Sequence, residues 1–113
     1  MTFHVELPMP PSANNAYGNG KKGRFKRPAS VAWANEAVAE LWRQVPASRR
    51  IGGPVVVHIA LPADMRGDCD NRIKPILDAL VTSRRIDDDR NVRTVTATKS
   101  IGGDKAFVTV SAA

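Results

Sequence analysis

Cysteine is almost missing from this chain: Cys69 is the only one in 113 residues, so no intrachain disulfide can form. With His4 and His58 as the only histidines, there is also no standard set of structural zinc ligands. A reducing compartment is the expectation that follows. Aromatic residues are scarce as well, at 5% of the chain, which argues against base stacking as the main mode of any nucleic-acid contact. No segment approaches the ~18 consecutive apolar residues needed to cross a bilayer. The opening MTFHVELPMP lacks the basic region and long apolar run of a secretory signal. A soluble cytoplasmic protein with no membrane partner is therefore expected.

What is present suits a folded domain. Hydrophobic residues make up 42% and charged residues 25%, and residues 1–113 read as one domain with one core. Seventeen Lys and Arg against eleven Asp and Glu give a formal charge of +6. That surplus favours a polyanionic partner, DNA or RNA before others.

The pattern of apolar residues predicts an element order of β, α, β, α, β, β. Residues 2–7 alternate, with Phe3, Val5 and Leu7 on one side, and Pro8, Pro10 and Pro11 end the strand because proline supplies no amide to a sheet ladder. Residues 12–28 read as a loop whose basic part, about 18–28, holds Lys21, Lys22, Arg24, Lys26 and Arg27. Ser30 is placed to cap a helix over 31–45, in which Trp33, Ala37, Leu41 and Val45 recur every four residues and Val38 and Trp42 widen the stripe. Nine residues apart, Trp33 and Trp42 fall on opposite sides of an ideal helix, and packing is the simpler role for both.

The β-branched run 55–61 predicts a central strand covered on both faces, with His58 a partnered core or interface residue. A second helix is expected from Asn71 or Arg72 to Arg84, buried through Ile73, Ile76, Leu77, Leu80 and Val81, with Pro75 tolerated in its first turn. Strands over 92–98 and 106–110, joined through Gly102 and Gly103, read as a hairpin. The resulting fold class is α/β, close to α+β: a small mixed sheet with two helices on one face.

Five aspartates stand out against the basic background, Asp68 with Asp70 and the run Asp87, Asp88 and Asp89. Concentrated acid in a basic protein is useful where a divalent cation must be held against a polyanion. In extended backbone Asp68 and Asp70 point to the same side with Cβ atoms about 7 Å apart. Magnesium takes oxygen ligands at roughly 2.1 Å and keeps waters or phosphate oxygens, which suits a few carboxylates without histidine. Asp88 or Asp89 completes the set if the fold returns the second loop to the same edge. The plainer alternative is that these aspartates are solvated turn and cap residues.

Asn71 is placed to cap the helix or to orient a carboxylate. Lys74 is placed to direct charge at a scissile phosphate, or else simply to pair with Asp78 four positions on. Cys69, between two candidate ligands, is buried or incidental, since a thiolate is a poor magnesium ligand.

Three segments together resemble the RusA family of endodeoxyribonucleases, the Holliday junction resolvases of bacteria and their prophages: LPMPPSANNAY at 7–17, DCDNRIKPILDAL at 68–80 and IDDDRNV at 86–92. The resemblance implies a homodimeric, magnesium-dependent enzyme, with manganese as a substitute ion, that cuts four-way DNA junctions by paired nicks. By position it assigns metal ligation and catalysis to Asp68, Asp70 and Asp89 and a catalytic charge to Lys74. Reading 88–92 as D-D-x-x-V selects Asp89 and leaves Asp88 as a helper. Pro11, Ser12, Asn15 and Tyr17 resemble the family's N-terminal loop, expected to shape the site and hold DNA. With Lys21, Lys22, Arg24, Lys26 and Arg27, the residues Asn15 and Tyr17 form the expected DNA-binding set.

A two-fold dimer matches the two symmetry-related cleavage points of a four-way junction. Competing readings are a basic, non-catalytic DNA-binding accessory protein and a less selective metal-dependent nuclease.

Overall fold

The computed structural model describes residues 1–12, 17–20 and 23–113, with backbone alone for 17–20 and 23–26. Its largest unit is a four-stranded mixed sheet in the order β1 (Thr2–Pro8), β6 (Lys105–Ala112), β4 (Val55–Pro62), β5 (Val92–Ile101). The pairs β1–β6 and β6–β4 are antiparallel and β4–β5 is parallel. Two helices, α1 (Pro28–Gln44) and α2 (Ile73–Thr82), join the strands in the expected order. Within the segment read as a loop, β2 (Tyr17–Gly20) and β3 (Gly23–Lys26) pair as an antiparallel ribbon. Glycine at both of its inner ends, Gly20 opposite Gly23, suits the tight reversal.

One face of the sheet makes the core. Phe3, Val5 and Leu7 stand in register with Val110, Val108 and Ala106, and Val57 and Ile59 continue the rows across β4. All of these are buried, together with Trp33, Ala37 and Leu41 of α1 and Ile76, Ala79 and Leu80 of α2. Polar groups tie the layers at their margins. The Trp33 indole donates to the Pro8 carbonyl at 2.9 Å. The Gln44 amide accepts from the Glu6 amide at 2.8 Å and donates to its carbonyl at 2.7 Å, which satisfies backbone groups of edge strand β1 that would otherwise invite another strand.

Several expectations are corrected. Helix α1 starts three residues earlier than the Ser30 cap implied, because Pro28 occupies the first helical position, and Ser30 lies buried inside the first turn. Helix α2 begins after a 3-10 turn over Cys69–Arg72 and stops at Thr82 rather than Arg84; Arg84 itself adopts a left-handed backbone (φ 60°). Strands β5 and β6 do not form a hairpin, since β4 lies between them. A link from β5 to β6 must cross two strand spacings, about 10 Å, which accounts for a connection longer than a two-residue turn. Finally, β4 is central but helices cover only one of its faces, and His58 on the other is exposed. Trp42 also leaves the core, 59% exposed, with its indole donating to the Ser83 carbonyl at 3.1 Å.

Among the described residues no helix is long and apolar enough to cross a membrane.

Candidate acidic site

The parallel crossover β4–α2–β5 sets the stage for the aspartates. Strand β4 ends at Pro62, the chain turns through residues 63–68, and the 3-10 turn Cys69–Arg72 leads into α2. Cys69 points inward: its thiol lies 3.5 Å from the Ala97 carbonyl of β5 and packs on the core. The neighbours on either side, Asp68 and Asp70, are consequently exposed. Neither carboxylate has a hydrogen bond or ion pair among the described residues, although the chain carries seventeen Lys and Arg. Asp68 stands at the N-terminal end of the turn, where its carbonyl accepts from the Asn71 amide at 3.3 Å.

Arg72 anchors this turn from behind. Its Nη1 donates to the Pro10 carbonyl at 2.5 Å, joining the segment after β1 to the turn that carries Asp70. Its Nε is buried without a partner among the described residues. Sequence reasoning missed this tether, because an arginine beside a helix start carries no signal of a carbonyl more than sixty positions away.

The second acidic group separates into three different environments. Asp87 pairs with Arg50 and accepts from the Gly53 amide at 3.4 Å, which clamps the loop before β4 to the loop after α2. A Cβ at Gly52 would come within 3.2 Å of the same carboxylate. Asp88 caps the short 3-10 turn Asp89–Asn91 by accepting from the Arg90 amide at 3.0 Å, and its other oxygen meets Arg90 Nε at 3.1 Å. The backbone amide of Arg90 is the chief cause that holds the Asp88 carboxyl below its usual range, followed by the Asp89 and Arg90 side chains.

Asp89, whose side chain also meets Asp88, reaches α2. Its Oδ2 lies 3.3 Å from Lys74 Nζ, and the same ammonium meets Asp78 Oδ1 at 2.9 Å, one helical turn further along α2. The lysine titrates above its ordinary range, first through the hydrogen bond to Asp78 and its charge, then through Asp89. The expected pairing of Lys74 with Asp78 is present, and the same ammonium also reaches the second acidic group through Asp89.

The structure thus brings together Lys74, Asp78 and Asp89, and it places Asp68 and Asp70 on the turn that opens the same helix. It does not draw the aspartates into a finished cage: among the described residues, no group of three or more His, Cys, Asp or Glu is arranged to hold a metal. The donor chemistry suits a hard cation, being carboxylate oxygen with two members unpaired among the described residues. Of the expected DNA-binding residues, Asn15, Lys21 and Lys22 lie outside the described residues, and so do the side chains of Tyr17, Arg24 and Lys26. Arg27 is exposed at the start of α1.

The chain is a small α/β protein whose parallel crossover presents exposed carboxylates, one of them beside a lysine. Comparison with known families is more specific: the model for endodeoxyribonuclease RusA matches residues 8–111, and the chain belongs to that family. Membership carries nuclease activity in general. No curated protein matches the chain.

Proposed function

We propose that this protein is a magnesium-dependent endodeoxyribonuclease that resolves four-way DNA junctions by paired phosphodiester hydrolysis. The observation that carries the reading is the RusA family match over residues 8–111, which spans Asp68, Asp70, Lys74 and Asp89. Asp68, Asp70 and Asp89 would hold Mg2+, or Mn2+ in its place. Bound there, the ion would make a water more acidic and polarise the phosphoryl oxygen.

The chain's own residues do the rest. Exposed and without a partner among the described residues, Asp68 and Asp70 can turn toward a cation without breaking a contact to any of them. Lys74 keeps its proton between Asp78 and Asp89, so it offers a fixed positive charge to the oxygen that leaves. Asp78 holds that ammonium when Asp89 is engaged elsewhere. The basic segment at 18–28, with Asn15 and Tyr17, contacts DNA outside the reaction centre. The working unit is a two-fold dimer in the cytoplasm of a bacterial host, chromosomally or phage encoded, because each subunit supplies one site and a four-way junction needs two.

A non-catalytic DNA-binding protein is the second reading, favoured by the absence of an assembled three-acid group among the described residues. A panel of labelled substrates separates the readings. Four-way junction, linear duplex, single strand and RNA are incubated with and without magnesium. Metal-dependent paired nicks confined to the junction are expected. Equal cutting of linear duplex points to a less selective nuclease, and binding without any product points to the accessory protein.

A further inference from the structure

Arg72 is a costly residue for the place it occupies. Its side chain is half-buried, and its Nε is closed off from solvent without a partner among the described residues. Against the burial of a full positive charge stands one contact among those residues, Nη1 donating to the Pro10 carbonyl at 2.5 Å. An unbranched apolar side chain would fill the same space with no orphaned donor and no desolvated charge. The Pro10 carbonyl would lose its donor, which offsets part of that gain. Stability alone therefore does not account for an arginine here.

What the arginine holds gives a reason. The 3-10 turn Cys69–Arg72 carries Asp70, and Asp68 stands at its N-terminal end. The first residue of the turn is fixed inward by the Cys69 thiol, 3.5 Å from the Ala97 carbonyl of β5, and the last by Arg72 on Pro10. Pro10 is a firm anchor. It is buried, its ring sets φ, and Pro8 and Pro11 stiffen the chain around it. The Trp33 indole of α1 secures the same segment through the Pro8 carbonyl at 2.9 Å. The backbone of the turn is thus held at both ends, while the carboxylates of Asp68 and Asp70 are exposed and without a partner among the described residues. In that state only side-chain torsions remain to be ordered when a cation binds, which raises affinity by lowering the cost of ordering.

We propose that Arg72 is a positioning residue for the cation site: its tether to Pro10 fixes the turn so that Asp68 and Asp70 are set to bind one divalent ion together. It touches neither the ion nor the substrate. The inference rests on the metal site named in the proposed function and adds to it a residue that supplies no ligand atom.

The full chain is titrated with Mn2+ in the absence of DNA, the free ion being followed by electron paramagnetic resonance, as wild type, Asp70→Asn, Arg72→Met, Arg72→Gln and Arg72→Lys. Circular dichroism melts establish that each is folded. Arg72→Met is expected to melt close to wild type yet to bind Mn2+ at least about 10-fold more weakly, a loss of roughly 1.4 kcal/mol. Arg72→Gln, shorter and uncharged, should do the same. Arg72→Lys keeps the charge and a terminal donor, and should recover affinity to within about 3-fold of wild type. In junction cutting, the magnesium concentration for half-maximal rate should rise about 10-fold in Arg72→Met with the plateau rate little changed, a split that partial unfolding does not produce.

Folded Arg72→Met and Arg72→Gln with wild-type Mn2+ affinity overturn the positioning role and leave the acidic site standing. A lowered plateau rate at unchanged Mn2+ affinity overturns it too, since the guanidinium would then act on the substrate. Should Arg72→Met fail to fold, Arg72→Gln decides; if neither folds, the tether is a folding contact and the proposal is lost. Wild type that binds Mn2+ no more tightly than Asp70→Asn overturns the metal site itself, and the role of Arg72 with it.

Discussion

Individual side chains divide the acidic residues by what already holds them. Asp87 is committed to Arg50 and Asp88 to the Arg90 amide, whereas Asp89 meets the Asp88 carboxyl and a lysine that has Asp78 as a second partner. This favours Asp89 over Asp88 as the residue available to the site, the register chosen from the valine of the D-D-x-x-V pattern. If Lys74 supplies charge at the leaving oxygen, Lys74→Ala will leave a folded protein whose single-turnover junction cleavage falls by roughly 100- to 1,000-fold, with binding little changed. Unaltered turnover would make the lysine a structural tie between α2 and the turn at Asp89.

Asp88 makes a different prediction, one of stability. Its carboxyl is held below the ordinary range in the fold, so its contribution is complete above the unfolded value and fades as pH falls through the lowered one. Asp88→Ala should therefore melt at a lower temperature than wild type at neutral pH. The gap should close as the buffer is taken below the ordinary carboxylate range. A gap that is constant with pH would mean that the carboxylate charge contributes nothing to the turn.

At the scale of elements, the four strands of the main sheet and both helices were legible from their apolar patterns, whereas β2 and β3 were not. Trp33, Ala37 and Leu41 were read correctly as a core stripe, and Ile76 and Leu80 likewise. Pairing was less legible. Consecutive strands with a glycine turn between them suggest a hairpin, yet β6 inserts between β1 and β4. Nothing local to 92–112 encodes that; only a sheet with Val57 and Ile59 at its centre brings β6 beside them. The covered-on-both-faces reading of β4 failed for a related reason: Val56 and Ala60 made the run look evenly apolar, but they lie on the open face.

The same limit applies to the site. The acidic spacing showed which residues to watch, while the Arg72 tether and the Asp87 clamp depend on contacts between distant segments. The basic segment holds a short two-stranded ribbon, β2 and β3, rather than plain loop. Neutralising Lys21, Lys22 and Arg24 together should weaken junction binding and lower the salt dependence by about 0.9 in log–log slope for each phosphate left unneutralised. The chemical step at saturating protein should change little. Binding that is unchanged over a range of salt would remove the segment from the DNA interface.

Over the whole molecule, the layers assign separate tasks. One sheet face and two helices form the core, and the crossover from β4 to β5 carries Asp68 and Asp70 at the turn that leads into α2. A family match covering residues 8–111 leaves little chain outside this scheme.

The exposed aspartates at the head of α2 are proposed to drive a metal-dependent cut. The most direct measurement compares wild type with Asp70→Asn on an end-labelled four-way junction across a magnesium titration, with binding followed in the same samples. Magnesium-dependent paired nicks by wild type, and at least about 100-fold slower cutting with binding retained by Asp70→Asn, is the predicted result. Cutting by Asp70→Asn at the wild-type rate, or no product from folded, dimeric wild type at any magnesium concentration, would contradict it.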